Sequence, residues 1–239
     1  MKYSKIDVDV PDLPYQYKTT SIDYSKKETK NANMAMLRTI NAKYGASVLR
    51  WGNLFELGRE LVLSFIATES GGNMAAPNRF KATGLMQMTP NGTWETYKKW
   101  KTVTGTEIPA EVVAMVKAKT PELITLNAVQ PNATAEAKIL KALQYDADYN
   151  IMMGAMTLRW LIERYENPIF GGQLNKAMIA YNAGAYHPSI STGTRAQTNP
   201  VDTAKLAVSG LVPAESRNYL KKMLGKDGFL SLILIDKAV

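Results

Sequence analysis

Residues 67–90 read ATESGGNMAAPNRFKATGLMQMTP, and no other stretch of the chain is as informative about its structure. The stretch begins at the end of a predicted helix, because apolar residues recur at positions 54, 57, 61 and 65. Gly71 and Gly72 then end that helix. A loop containing Pro77 leads into a turn at 84–87. The pattern predicts a largely buried helix over 54–70 whose last turn carries Glu69.

The position of Glu69 is unusual for a carboxylate. The last turn of a helix is the negative end of its dipole, where Lys or Arg is preferred, and departures of this kind occur at functional sites. The dipole and partial burial would both raise the pKa of Glu69. A raised pKa keeps a carboxyl protonated near neutrality, as a general acid must be. The alternative, from position alone, is an exposed glutamate that the helix tolerates at small cost.

Outward from this stretch, helical patterns dominate the chain and strand signals are few. Residues 1–32 are polar and rich in Lys and Tyr, which predicts an extended N-terminal arm before a domain over 33–239. Within that domain, residues 101–149 are interpreted as a helical insert punctuated by prolines. Further helices are predicted over 33–44, 93–100, 109–119, 133–143, 150–165, 173–182, 201–208 and 214–224, with a buried apolar tail over 229–235.

The amino-acid composition excludes several classes of enzyme. At 46% hydrophobic residues, the 239-residue chain can form a packed core. It has no cysteine and a single histidine, His187, which excludes cysteine peptidases and zinc hydrolases that need two or three histidine ligands. A serine triad would have to use His187, which precedes Pro188 in a turn, and no nucleophile-elbow pattern occurs. If the protein is an enzyme, carboxylates are therefore the best candidates for its chemistry.

Four ordered sequence blocks resemble those of the soluble lytic transglycosylases, a family with a goose-type-lysozyme-like fold. They are Glu69-Ser70 with Gly84-Leu85-Met86-Gln87, then Asn150-Ile151 with Gly154 and Leu158, then Ala180-Tyr181-Asn182-Ala183-Gly184, and finally Glu215-Ser216-Arg217-Asn218-Tyr219. Together they cover about residues 55–225. The resemblance implies a mainly α, lysozyme-like helical domain. Lys81, Thr89 and Asn78 depart from residues that are usual in the family.

The resemblance also implies an activity and a site. Members of the family cut the β-1,4 bond between N-acetylmuramic acid and N-acetylglucosamine in peptidoglycan and form a 1,6-anhydro ring, without metal or cofactor. Glu69 matches the single catalytic acid and base, and Tyr181 matches the tyrosine that lies over this carboxyl. The positions that match supporting or substrate-binding residues are Ser70, Gln87, Tyr181, Asn182 and Glu215.

Other functions stay open at this point. A hydrolytic lysozyme would need a second carboxylate to activate water, for which Asp146, Asp148 or Glu215 could serve. A structural virion protein or envelope-binding protein could keep such a fold without turnover. The net charge of +8 favours polyanionic partners, but no interleaved basic and aromatic module indicates specific nucleic-acid binding.

The sequence also suggests where the protein works. Residues 1–14 lack the apolar region of a signal peptide, and no apolar run is long enough to span a membrane. An enzyme that acts on peptidoglycan would then need another route to the wall. We expect a bacteriophage particle to carry it, with residues 1–32 docking to other virion proteins. A trimmed signal peptide, a lysis endolysin and a component of a secretion machine are the alternatives.

Overall fold

The fold is mainly α-helical, as predicted. The computed structural model describes residues 18–19, 22–23, 27–76, 80–126, 130–166, 174–185, 210, 212–225, 227–236 and 239. Within these ranges the named strands are β1 (Lys18–Thr19) and β2 (Ile22–Asp23), which pair antiparallel. None of the helices in the described ranges has the length and apolar character needed to cross a bilayer.

The described residues form ten helices, which we number in chain order. They are α1 (Lys27–Leu54), α2 (Arg59–Glu69), α3 (Pro90–Thr104), α4 (Ala110–Lys119), α5 (Glu122–Thr125), α6 (Ala133–Tyr145), α7 (Ala147–Glu166), α8 (Leu174–Ala183), α9 (Ala214–Leu224) and α10 (Phe229–Asp236). Most predicted helices are present with ends shifted by a few residues. The predicted helix over 201–208, and His187 with its turn, lie outside the described residues.

Two predicted boundaries are wrong. The helix expected over 54–70 is interrupted, because α1 ends at Leu54 and α2 begins only at Arg59. Glu56 and Gly58 have left-handed φ angles of 54° and 75° in the turn between them, while Phe55 and Leu57 stay buried. Burial therefore continues across a break in the backbone, so apolar spacing alone does not show the break. Similarly, the helix expected to begin at residue 33 begins at Lys27, so the last residues of the predicted arm are helical.

Helix α7 lies at the centre of the core. It packs against α1, α3, α6 and α8, and its residues from Tyr149 to Met156 are all buried. Helix α2 is the second buried element, with every residue from Leu61 to Thr68 buried against α1, α9 and α10. A helix that is buried on all faces has little freedom to shift, because protein interiors are close-packed. Glu69 follows directly on this buried run and so has a fixed position.

Asn150, a fully buried residue near the start of α7, binds the turn at 84–87. Its side-chain Nδ2 donates to the carbonyl oxygens of Thr83 and Leu143, both at 2.9 Å. Its Oδ1 accepts a hydrogen bond of 2.8 Å from the backbone N–H of Met86. One amide thereby uses both its donors and its acceptor on backbone groups, which joins the turn, α6 and α7.

Two glycines allow this turn to approach α7 closely. Gly84 has a φ of 75°, and a Cβ there would lie 2.2 Å from Nδ2 of Asn150. On α7, a Cβ on Gly154 would lie 2.4 Å from Sδ of Met86. Both distances are far below van der Waals contact, so larger residues would force the turn away from the helix. Two of the sequence blocks that carry the family resemblance are thus parts of one packed unit.

We predict that Asn150→Ala destabilises the protein by about 3 kcal/mol or more, because the buried N–H of Met86 loses its partner along with two further hydrogen bonds. Urea unfolding followed by circular dichroism would measure the loss. Asn91→Ala, at an exposed position of α3, is the matched control and should change stability by less than about 0.5 kcal/mol. Equal effects of the two substitutions would contradict the role given to Asn150.

Candidate active site

Glu69 ends α2, and the first turns of α9 reach its carboxyl. The hydroxyl of Tyr219 donates a hydrogen bond of 2.7 Å to Oε1 of Glu69. The side chain of Glu69 is partly buried, while Thr68 before it is buried. The ring of Phe65, one turn earlier on α2, lies 6.1 Å from the Tyr219 ring, centroid to centroid. The hydroxyl of Tyr219 therefore holds one oxygen of the carboxyl.

The pKa of the Glu69 carboxyl is raised from 4.5 to about 7. Burial is the largest cause, because it penalises the charged form, and the charge of Glu215 adds to it. The hydrogen bond from Tyr219 and the charge of Lys222 act in the opposite direction. Because burial has the larger effect, the carboxyl is close to half protonated near neutral pH. The rise in pKa expected from the sequence is thus found, with burial as its main cause.

Lys222 lies one turn beyond Tyr219 on α9 and reaches the same end of α2. Its ammonium Nζ donates a hydrogen bond of 2.6 Å to the carbonyl oxygen of Thr68 and lies 5.7 Å from the centroid of the Phe229 ring. Burial lowers the pKa of Lys222, and the charge of Glu69 partly offsets this. The cation that a helix C-terminus prefers is therefore supplied from α9 rather than by α2 itself.

Tyr181 on α8 packs beside the acid but does not hold it. Its ring lies 4.9 Å from the Phe65 ring in an edge-on arrangement, and its hydroxyl donates to the carbonyl oxygen of Met86 at 2.9 Å. Burial raises the pKa of Tyr181, and the charge of Glu69 adds to this rise. The hydrogen bond to the carboxyl comes from Tyr219, however, which the sequence analysis did not single out.

Tyr181 also lines a cleft of about 500 Å³. Four of the predicted site residues line it, namely Gln87, Tyr181, Asn182 and Glu215. Thr96 on α3 and Trp160 on α7 form part of its other side. Glu69 and Ser70 are not among the lining residues. Glu215, which lines the cleft, nevertheless acts on Glu69 through its charge.

Ser70 and Gln87 have local backbone roles. Oγ of Ser70 donates to the carbonyl oxygen of Ile66 and accepts from the N–H of Gly72, each at 3.1 Å. This fixes the chain just after Glu69. Gln87 has a left-handed φ of 46°, and its Nε2 donates to the carbonyl oxygen of Gly84 at 3.0 Å. This strained backbone position lies at the cleft, which Gln87 lines.

Asn182 connects α8 to α9 at the edge of the cleft. Its Oδ1 accepts a hydrogen bond of 2.6 Å from Oγ of Ser216, which is fully buried. Glu215 precedes Ser216 and lines the cleft as well. This bond fixes the start of α9, and the same helix then carries Tyr219 to Glu69. The two late sequence blocks are therefore in contact and both contribute to one side of the site.

Two of the three departures from the family pattern have local structural roles. Thr89 caps α3, because its Oγ1 accepts a hydrogen bond of 3.0 Å from the N–H of Gly92. Lys81 has a left-handed φ of 60°, and its Nζ pairs with Oε2 of Glu136 at 2.8 Å. The two residues lie on either side of the 84–87 turn. Asn78 lies outside the described residues.

Sequence reasoning missed Tyr219 and Lys222 as site residues. Tyr219 stands in a block that was recognised, and Lys222 follows it at a spacing of three, so both lie on one face of α9. That spacing shows a shared face but not what the face contacts. In the described ranges, no group of three or more His, Asp or Glu side chains is placed to hold a metal ion.

Searches among protein-family models, curated proteins and solved structures find no match to this chain. Support for a function therefore comes from the four sequence blocks and from the geometry of the site.

The raised pKa of Glu69 predicts a specific dependence of stability on pH. Between pH 4.5 and 7 the folded protein keeps the Glu69 proton while the unfolded chain releases it, so this carboxyl makes the protein less stable as pH rises. Glu69→Gln removes this effect. The variant should gain stability relative to wild type across that range, by up to about 3 kcal/mol, and the gain should level off above pH 7.

Urea unfolding of both proteins from pH 4 to pH 8 measures this difference. Below pH 4.5 their stabilities should change in parallel, which is the internal control. A difference that stays constant over the whole range would mean that Glu69 titrates as an ordinary exposed carboxyl.

Proposed function

We propose that the protein is a lytic transglycosylase that cuts the β-1,4 bond between N-acetylmuramic acid and N-acetylglucosamine in peptidoglycan. The observation that carries this proposal is the carboxyl of Glu69, whose pKa of about 7 and whose bond to Tyr219 suit a group that must both give and take a proton. The cleft lined by Gln87, Asn182 and Glu215, of which Glu215 acts electrostatically on Glu69, offers polar groups to sugar hydroxyls.

In the first step, protonated Glu69 gives its proton to the glycosidic oxygen, and the bond from that oxygen to C1 of N-acetylmuramic acid breaks. A pKa near 7 leaves a large share of the carboxyl protonated at neutral pH, so the acid is available. Positive charge develops at C1 as the bond breaks. By the family resemblance, the N-acetyl oxygen of the same sugar stabilises this centre, so the protein needs no second carboxylate for this step.

In the second step, the Glu69 carboxylate takes the proton of the C6 hydroxyl of the same sugar, and the C6 oxygen bonds to C1. The product is a 1,6-anhydro ring, Glu69 is protonated again, and no water is consumed. An intramolecular attack of this kind is favoured by proximity. The Tyr219 hydroxyl helps here, because its hydrogen bond stabilises the charged carboxylate that exists between the two steps.

A hydrolytic lysozyme is the second candidate, and the position of Glu215 in the cleft favours it. The other two carboxylates considered for this role are engaged elsewhere. Asp146 caps α7 and pairs with Lys119, and Asp148 accepts a hydrogen bond of 2.7 Å from Nε1 of Trp51. Product mass separates the two reactions, because hydrolysis adds one water and transglycosylation adds none. A hydrolase should also lose its activity in Glu215→Gln.

Delivery of the enzyme by a bacteriophage particle, with residues 1–32 as a docking arm, stays a prediction from the sequence. Most of that arm lies outside the described residues. Protein mass spectrometry of purified particles would test it. Absence from particles, with accumulation of free protein late in infection, would favour an endolysin.

We predict that Glu69→Gln folds normally and loses activity on purified peptidoglycan by at least about 100-fold, because the amide cannot deliver a proton. Mass spectrometry of the wild-type products should show 1,6-anhydro muropeptides. The wild-type rate should fall as pH rises above 7, because Glu69 then loses the proton that the first step needs. A folded wild-type protein without activity would instead support a structural or envelope-binding role.

Tyr219→Phe and Tyr181→Phe form a matched pair that separates the two tyrosines. Loss of the Tyr219 hydroxyl should raise the pKa of Glu69, so the fall in rate at alkaline pH should move to higher pH. Tyr181→Phe should lower the rate by less than Glu69→Gln does and move the pH profile little, because its hydroxyl binds Met86. The opposite pattern in the measured pH profiles would assign the carboxyl contact to Tyr181.

A further inference from the structure

Lys222 is a half-buried cation that the two proposed steps do not use. Its Nζ lies 2.6 Å from the carbonyl oxygen of Thr68, the residue that precedes Glu69. Its ammonium also lies 5.7 Å from the centroid of the Phe229 ring on α10. A long, flexible side chain held at two contacts in a partly buried place has lost much of its rotamer freedom. The fold therefore holds this charge at a defined point.

That point is the C-terminal end of α2, where backbone carbonyls have no partner within the helix. A lysine bonded to one of them satisfies an acceptor and places positive charge at the negative end of the helix dipole. The carbonyl that Lys222 binds belongs to the residue before the acid, so the same contact limits how the last turn can move. The direction of the Glu69 side chain depends on that turn.

The groups that shift the pKa of Glu69 all lie on α9. They are the hydroxyl of Tyr219, the ammonium of Lys222 and the carboxylate of Glu215. On α8, burial raises the pKa of Tyr181, and the charge of Glu69 adds to this rise. Among the three groups on α9, Lys222 carries the positive charge and Glu215 opposes it. Tyr219 contributes a dipole only, since its own pKa is raised well above its usual value.

We propose that Lys222 is a positioning residue that fixes the last turn of α2 and controls how readily Glu69 releases its proton. Its catalytic consequence rests on the proposed function, in which one carboxyl must be an acid in the first step and a base in the second. Without the cation, burial and Glu215 would favour the protonated form more strongly. The acid would stay available, but the carboxylate between the two steps would be less stable and bond cleavage would slow.

The test uses variants at two neighbouring lysines. Lys222→Met removes the charge and keeps the apolar stem, Lys222→Gln removes the charge but keeps an N–H donor, and Lys222→Arg keeps both. Lys221→Met is the matched control, because Lys221 is the adjacent residue on α9 and its pKa responds to burial and to Arg217. Nuclear magnetic resonance of carbon-13-labelled Glu carboxyls follows the titration, with Glu69→Gln to assign the signal.

We expect Lys222→Met and Lys222→Gln to raise the pKa of Glu69 from about 7 toward about 8, the size of effect that a nearby charge produces. Lys222→Arg and Lys221→Met should leave it near the wild-type value. A raised pKa in the Met variant but not in the Gln variant would mean that Lys222 acts only through its hydrogen bond. An unchanged pKa in both variants would overturn the proposal.

A reciprocal measurement keeps the proposal testable even if the Lys222 variants fold poorly. Coupling between two sites is mutual, so Glu69→Gln should lower the pKa of Lys222, which the Glu69 charge raises in the wild-type protein. An unchanged Lys222 titration in this variant would also overturn the proposal. Both measurements are independent of substrate. Titrations as expected in a protein without activity on peptidoglycan would therefore reject the proposed function and leave this inference standing.

Discussion

The burial of one carboxyl at the end of α2 is the constraint on which the site depends. Glu69 follows a helix that is buried from Leu61 to Thr68, so its charged form is poorly solvated and faces the negative end of the helix dipole. Helix α9 offsets both the poor solvation and the helix dipole, because Tyr219 donates to the carboxyl and Lys222 donates to the carbonyl beside it. These two contacts offset only part of the cost of burying a carboxylate, so the pKa of Glu69 stays near 7.

The second part of the site is held by contacts that involve no catalytic chemistry. Asn150 fixes the 84–87 turn to α7, and the hydroxyl of Tyr181 binds the same turn from α8. Gln87 is thereby placed on the cleft by two buried helices rather than by a free loop. Groups held on rigid elements lose little entropy when a ligand binds, so this arrangement would favour binding in the cleft.

The sequence predicted the parts of this arrangement that are local. The helical class, the ends of several helices and the raised pKa of Glu69 follow from residue spacing and from the preferences of helix ends. The turn inside the expected 54–70 helix was missed, because Phe55 and Leu57 continue the apolar pattern through a left-handed backbone. Spacing reports which residues are buried, and it is insensitive to a short break that leaves burial unchanged.

The contacts within the site join residues that are far apart in the sequence, and these contacts could not be predicted from local patterns. Tyr219 is 150 positions from Glu69, and Lys222 is 154 positions from Thr68, so no local pattern links them. Tyr181 was the tyrosine expected beside the acid, and its hydroxyl instead binds Met86. Which of two buried tyrosines reaches the carboxyl depends on how α8 and α9 pack against α2, and that packing involves the whole core.

Under the proposed function, one carboxyl serves as both acid and base, and its pKa then needs opposing influences of similar strength. Burial alone would hold the proton on Glu69 too firmly for the proposed base step, and strong pairing with a cation would remove it before the proposed acid step. Here the cation binds the backbone carbonyl of Thr68, and the group bonded directly to the carboxyl is the neutral hydroxyl of Tyr219. The positive charge is thus close enough to lower the pKa but does not form an ion pair that would fix Glu69 in its charged state.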